Sequence, residues 1–209
     1  LIHPETTDRV EGRFAFGSLR KLKGWRPAVG AYMSFAFVAA AFALFIAPSL
    51  EGDHGFSRNH TTLLFSVVGA GSMIGSLALG RLGDHWGRPR TMTLAMSITA
   101  IAAVTMPLGR EPWTAFALVA YGAASASFPT LTATFVRDQV NQREFTAVFG
   151  AMTIFYGPAS IAGPYVSGRL ADTTGNHRAT YFLLAVMASI AAIFASRLPR
   201  VDHSAEPPT

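Results

Sequence analysis

Residues 61 to 80 read TTLLFSVVGAGSMIGSLALG, and residues 81 to 90 read RLGDHWGRPR. The first stretch carries no charged side chain over a length that, at about 1.5 Å per residue, takes a helix across the roughly 30 Å hydrocarbon core of a bilayer. No water is available there to satisfy peptide groups, so a helix is the form such a segment adopts. The second stretch changes abruptly to Arg81, Asp84, His85, Arg88 and Arg90, as expected of a chain that has emerged at a charged membrane surface. A soluble core helix would spread its polar residues along one face instead of gathering them beyond its end.

Five more windows of the same kind lie on either side, at 28–47, 91–109, 113–136, 145–167 and 179–196, and none contains Asp, Glu, Lys or Arg. The links between them are polar (48–60), charged (81–90 and 137–144), a tight turn (109–112), or rich in Asp, Thr, Gly and Asn (168–178). The pattern predicts an all-α membrane protein with one six-helix transmembrane domain over 27–197. A basic loop at 1–26 precedes it, and a polar, Pro-rich, disordered tail at 198–209 follows. Composition agrees: 50% of the residues are hydrophobic and only 14% charged, where soluble domains carry about a quarter. The 19 Gly and 12 Pro suit helices that approach closely and bend.

Thirteen of the 17 Lys and Arg fall on one side of these spans: Arg9, Arg13, Arg20, Lys21, Lys23, Arg26, Arg81, Arg88, Arg90, Arg137, Arg143, Arg197 and Arg200. Arg58, Arg110, Arg169 and Arg178 fall on the other. The positive-inside rule then places both ends of the chain in the cytoplasm, in a membrane read as a bacterial inner membrane. The same rule accounts for the formal charge of +5 without a nucleic-acid partner. Cysteine is absent, and the six histidines are scattered over both sides, so neither a thiolate, a metal site nor a Ser-His-Asp grouping is expected. No cofactor and no enzymatic activity are implied.

The run Gly80-Arg81-Leu82-Gly83-Asp84-His85-Trp86-Gly87-Arg88-Pro89-Arg90 resembles the signature loop found after the second helix of each six-helix half in the major facilitator superfamily. In physical terms Gly80 and Gly87 allow a sharp reversal, and Asp84 is an acceptor among Arg81, Arg88 and Arg90. The resemblance implies a cytoplasmic gating loop, Gly80, Leu82, Asp84, Gly87, Arg88 and Arg90, that latches two halves together, with Asp84 facing a helix N-terminus. Further along, Gly157-Pro158-Ala159-Ser160-Ile161-Ala162-Gly163-Pro164 and then Gly168-Arg169-Leu170-Ala171-Asp172-Thr173-Thr174-Gly175 look like the last two helices of the monocarboxylate-transporter-like branch and its bacterial relatives. Antiporters of the superfamily carry a similar Gly-Pro run in their amino-terminal half. That half often also has an Arg in its fourth helix, and 113–136 has none. The resemblance therefore implies a C-terminal half, covers about residues 25 to 197, and makes residues 1–26 an interdomain loop. The partners it implies are the lipid bilayer, a small-molecule solute, and either an amino-terminal six-helix half or a second copy of this chain. The function implied is solute movement by alternating access; the alternative is a non-transporting membrane protein, or a half that acts only after pairing.

Transporters of this architecture hold the solute near the bilayer midplane, so polar and aromatic residues at mid-span are the candidates: Tyr32, Ser34, Phe35 and Phe37; Tyr121, Ser125, Ser127, Phe128 and Thr130; Thr153, Tyr156 and Ser160. Of these, Tyr32, Phe35, Tyr121, Ser125, Phe128, Tyr156 and Ser160 form the preferred substrate path. Tyr121, Ser125 and Phe128 share a helix face at i, i+4 and i+7, beside Pro129, which removes a backbone bond. Gly69, Gly71, Gly75 and Gly80, with Ser72 and Ser76, read as close helix packing. No span holds an ionisable group, so a proton relay or a counter-ion for a charged solute is expected elsewhere.

Overall fold

The structure, a computed structural model, describes residues 16–199. They form a short helix α1 (Phe16–Leu19) and six long ones, α2 (Trp25–Pro48), α3 (Arg58–Trp86), α4 (Arg88–Thr105), α5 (Trp113–Arg137), α6 (Gln142–Thr174) and α7 (Arg178–Ser196). No strand occurs among the described residues. Each of the six is long and apolar enough to cross a bilayer, and the protein is an integral membrane protein. Hydroxyls in the spans return their protons to their own helices, as with Thr99 to Ala95 O (3.0 Å), Thr132 to Phe128 O (2.9 Å) and Ser127 to Ala123 O (2.6 Å). They meet the demand for satisfied polar groups locally, where lipid offers nothing.

The helices outrun the apolar windows. α3 continues six residues past Gly80 and stops only at Gly87, whose φ of +90° no L side chain tolerates well. Hence the stretch 81–90 is not a loop: Arg81 to Trp86 are the last turns of α3, Arg88 to Arg90 the first of α4, and Gly80 is an ordinary helical residue with open space where its Cβ would be. In the same way α6 runs through Gly168 and Asp172 to Thr174, capped by Gly175 at φ +70°. α2 is prolonged by a wide π-helical turn, Ser49–Asp53. A helix hydrogen-bonds itself equally well in lipid and at the interface, so it ends where a backbone breaker stands and not where the charges begin.

Residues 1–15 and 200–209, which hold most of the expected amino-terminal loop and tail with its disorder, lie outside the described residues. The part of the loop that is described packs on the bundle. Leu19 and Leu22 are 2% and 1% exposed, α1 lies against α6, and Lys21 forms an ion pair with Glu144.

The packing has an internal two-fold relation. α3 packs on α5 as α6 packs on α2, α4 lies between α5 and α7 as α7 lies between α2 and α4, and the α4–α7 contact maps onto itself. Exchanging α2–α4 with α5–α7 therefore leaves the list of neighbours unchanged, as an inverted repeat requires. The closest approaches obey the same exchange. A Cβ at Gly75 of α3 would fall on Ala123 of α5, one at Gly122 of α5 on the Val68 carbonyl of α3, and one at Gly163 of α6 on the Phe37 carbonyl of α2. Two apolar clusters fill the interior. One, at the arginine-rich end, holds Leu22, Phe35, Phe128 and Phe135; the other holds Phe42, Ile46, Tyr121 and Tyr181. α3 and α6 are left barest, with 22% of their apolar windows buried against 44–61% for the other four.

The charge imbalance sets one checkable expectation. Cysteines placed at Gly52 and Asn176, at one end of the bundle, should react with an impermeant thiol reagent outside intact cells, and one at Gln142, at the other, should not. The wild-type chain has no cysteine to give a background, and labelling of Gln142 alone would invert the assignment.

Candidate functional site

The charges after α3 are organised around Arg88. As the first residue of α4 it follows the reversal at Gly87. Its Nη1 pairs with Asp84 Oδ1, one turn back in α3, while its Nε reaches Asp138 Oδ2, just past α5, at 3.4 Å. One guanidinium thus joins the ends of three helices through a fork suited to two carboxylates. The Arg88 and Asp138 side chains are each 18% exposed and Asp84 59%, so the Asp138 arm is the one shielded from water. Gly83 makes room: a Cβ there would meet Leu131 Cδ2 at 2.7 Å and Arg88 Nη1 at 3.4 Å. Leu82 packs on the neighbouring core. Arg90 takes no part in this cluster and lines a separate cavity between α4 and the end of α7.

At mid-span four of the path candidates come together. Tyr32 lies 4.9 Å from Tyr156 between ring centroids, Phe35 stacks on Phe128 at 4.7 Å, and Phe35 is 6.4 Å from Tyr156. Phe149 completes the group, 5.9 Å from Tyr32. Three helices, α2, α5 and α6, contribute, which ties the first span to the fourth and fifth. Tyr121 is placed apart. It stacks on Phe42 at 3.9 Å and donates to Ala39 O at 3.0 Å, and Phe42 meets Tyr181 edge-on at 5.3 Å. Tyr121 and Phe128 are 3% and 0% exposed, so the face they share turns into the six-helix core. Ser125 and Ser160 are half-buried, donating to Gly122 O (3.3 Å) and Gly157 O (2.7 Å).

Two cavities open at the ends of this region. One, of about 300 Å³, lies between α5 and α6 at the arginine-rich end and is lined by Thr130, Thr134, Arg137, Gln142 and Phe145. The other, of about 520 Å³, lies between α2 and α3 at the opposite end. Glu51, Arg58, Thr61, Thr62 and Ser66 line it, and the buried Thr61 hydroxyl has no hydrogen-bond partner. At that end Asp53 Oδ2 accepts from the His177 backbone N–H at 2.7 Å and meets its Nδ1 at 3.0 Å, joining the end of the first span to the start of the last.

The sequence from residue 28 to 209 matches the Major Facilitator Superfamily profile. The chain belongs to the major facilitator superfamily. It is similar to Monocarboxylate transporter 12-B of Danio rerio, 24% identical over 136 residues covering 63% of this chain and 28% of that protein. It is also similar to Monocarboxylate transporter 13 of Rattus norvegicus, 27% identical over 141 residues covering 64% and 33%. The Gallate transporter of Pseudomonas putida is 30% identical over 110 residues, covering 50% and 24%. The chain thus spans about a third or less of the relatives it matches.

Within the superfamily pattern, the signature run is therefore a helix end, a single glycine and a helix start. What the sequence reading missed is the partner across the surface. Asp138 stands at the foot of α5, in the charged link that also holds Arg137, and an acid there on the same side as Arg88 was the available signal. Phe149 lies one turn or more nearer the start of α6 than Thr153 and Tyr156, outside the mid-span stretch from which candidates are taken.

Proposed function

We propose that the chain is the C-terminal six-helix half of a secondary transporter that moves a small organic acid by alternating access, pairing with a second six-helix body. The observation that carries this reading is the pair of bare helices: α3 and α6, related by the internal two-fold, leave apolar side chains such as Met73, Ile74, Ile161 and Tyr165 65–74% exposed in a superfamily member. A second body covering α3 and α6 encloses a path between the two walls. On this side the wall consists of Tyr156, Ser125 and Ser160, backed by Tyr32, Phe35 and Phe128, with Tyr121 as the packing that holds α5 to α2. The names of the relatives, monocarboxylate and gallate transporters, favour a compact carboxylate. The aromatic group suits its apolar body. Its charge would be met at the mouths by Arg58 and Arg137, or by the opposing wall, since the interior windows of this half hold no cation. Arg88, Asp84 and Asp138 form the gating cluster on the cytoplasmic side.

Reconstitution tests the reading. Residues 1–209 alone should insert into liposomes yet show no saturable uptake of small carboxylates, because one wall does not enclose a path. Saturable flux from a monomer would overturn the half-transporter reading, and flux from a dimer would replace the opposing half by a second copy.

A further inference from the structure

We infer that the cleft between the start of α4 and the end of α7 is a binding site for the phosphate of an anionic phospholipid. The cavity there has a volume of about 220 Å³ and is lined by Pro89, Arg90 and Thr93 of α4, and by Ser196 and Leu198 at the end of α7. Arg90 is exposed and forms no ion pair among the described residues, whereas its neighbour Arg88 is held by Asp84 and Asp138. A guanidinium left over at a membrane surface is the donor fork that matches a phosphate diester. The first turn of α4 lies beside it: Pro89 has no N–H and Thr91 N donates to Gly87 O, but the N–H groups of Arg88 and Arg90 have no side-chain cap and favour an anion. Thr93 and Ser196 now donate to Pro89 O (2.9 Å) and Ile193 O (2.8 Å), and each hydroxyl can redirect its proton to a phosphate oxygen.

The surroundings choose a lipid over a soluble anion. From Ser196 an exposed strip runs down α7 through Ile193, Ser189, Val186 and Phe182 at spacings of three or four residues, a track on which an acyl chain lies once the headgroup is held. The site rests on the reading above in one respect: the second body covers α3 and α6, leaving α4 and α7 to lipid. The cavity lining contains no carboxylate, so the ammonium of a zwitterionic headgroup finds no partner, and an anionic headgroup is preferred. The site also lies at the arginine-rich end, where an anionic leaflet surface attracts basic side chains.

The purified full chain in neutral detergent, titrated with phosphatidylglycerol and with phosphatidylcholine and read by native mass spectrometry, tests this without any transport assay. Wild type should retain phosphatidylglycerol preferentially, and Arg90→Gln should weaken that retention about fivefold, while Arg110→Gln at the other end leaves it unchanged. Should Arg90→Gln not fold, Thr93→Val combined with Ser196→Ala is expected to lower retention in the same direction. Equal retention of the two lipids, or no loss in the variants, overturns the site. Millimolar inorganic phosphate binding as well as the lipid assigns it to a soluble anion and overturns it too.

Discussion

Gly75→Leu is expected to abolish the stable fold of this chain or to cost it at least ~3 kcal/mol, the upper range for forcing atoms into a filled interior. At Gly75 the backbone of α3 lies against Ala123 of α5, so a Cβ would land on the Ala123 main chain itself, which has no rotamer with which to yield. The contact is also polar, because Ser72 donates to Val68 O at 2.9 Å and to Gly122 O across the interface at 3.1 Å. Separating the helices removes the interhelical half of that shared bond, leaving Gly122 O to the Ser125 hydroxyl of its own helix. α5 is the chief neighbour of α3 within the chain, so the whole helix detaches if the seam opens. Gly69→Leu is the matched control: six residues earlier, with nothing within 4 Å of its would-be Cβ, it should leave the unfolding midpoint in detergent near that of wild type. An unchanged midpoint for Gly75→Leu would show that α3 and α5 are not held in backbone contact at this seam.

The second large effect is on transport, measured in the full-length protein. Asp84→Asn should lower the uptake rate by about tenfold or more, equivalent to ~1.4 kcal/mol, with little change in stability. Asp84 is largely exposed and pairs with Arg88 across the turn at Gly87, and an exposed pair is worth only ~0.2–1 kcal/mol to a folded chain. On the proposed alternating-access function, a larger loss comes from movement between two states, in one of which the carboxylate serves a facing helix or Arg88. Arg88→Gln should reduce uptake equally and also lower the unfolding midpoint, because it breaks the more shielded arm to Asp138. Wild-type uptake by Asp84→Asn would remove the gating role from this cluster, and a stability loss matching the transport loss would make its role structural.

The six helices were legible because lipid imposes one demand, an uncharged run of sufficient length, and the chain meets it six times. Their ends were less so. Charges mark where lipid stops, and α3 and α6 pass that point until Gly87 and Gly175 supply the positive φ that halts them. The small-residue pattern in α3 predicts close packing, and of Gly69, Gly71, Gly75 and Gly80 it is Gly71 and Gly75 that meet another helix's backbone while the other two face open space; spacing gives a face, and the neighbour decides which part of that face is used. The same limit applied to the aromatics. Tyr121 and Phe128 were singled out with Tyr156, but their periodicity could not tell a side chain sealed between α5 and α2 from one left half-open. Leu19 and Leu22 sit in a basic segment whose charge hid two core residues.

The exchange symmetry of the packing has a consequence for which way up the protein lies. A bundle whose first three helices and last three contact one another by the same rules has a pattern of helix neighbours that is the same from either face of the membrane, so that pattern stores no information about direction. Glycine seams, aromatic stacks and buried hydroxyls would all survive a half-turn about an axis in the membrane plane. Among the described residues ten Lys and Arg stand at one end against four at the other, the imbalance by which the positive-inside rule separates upright from inverted. On that rule direction is written in surface arginines and lysines while the fold is written in the glycines, aromatics and apolar windows, two nearly disjoint sets of residues.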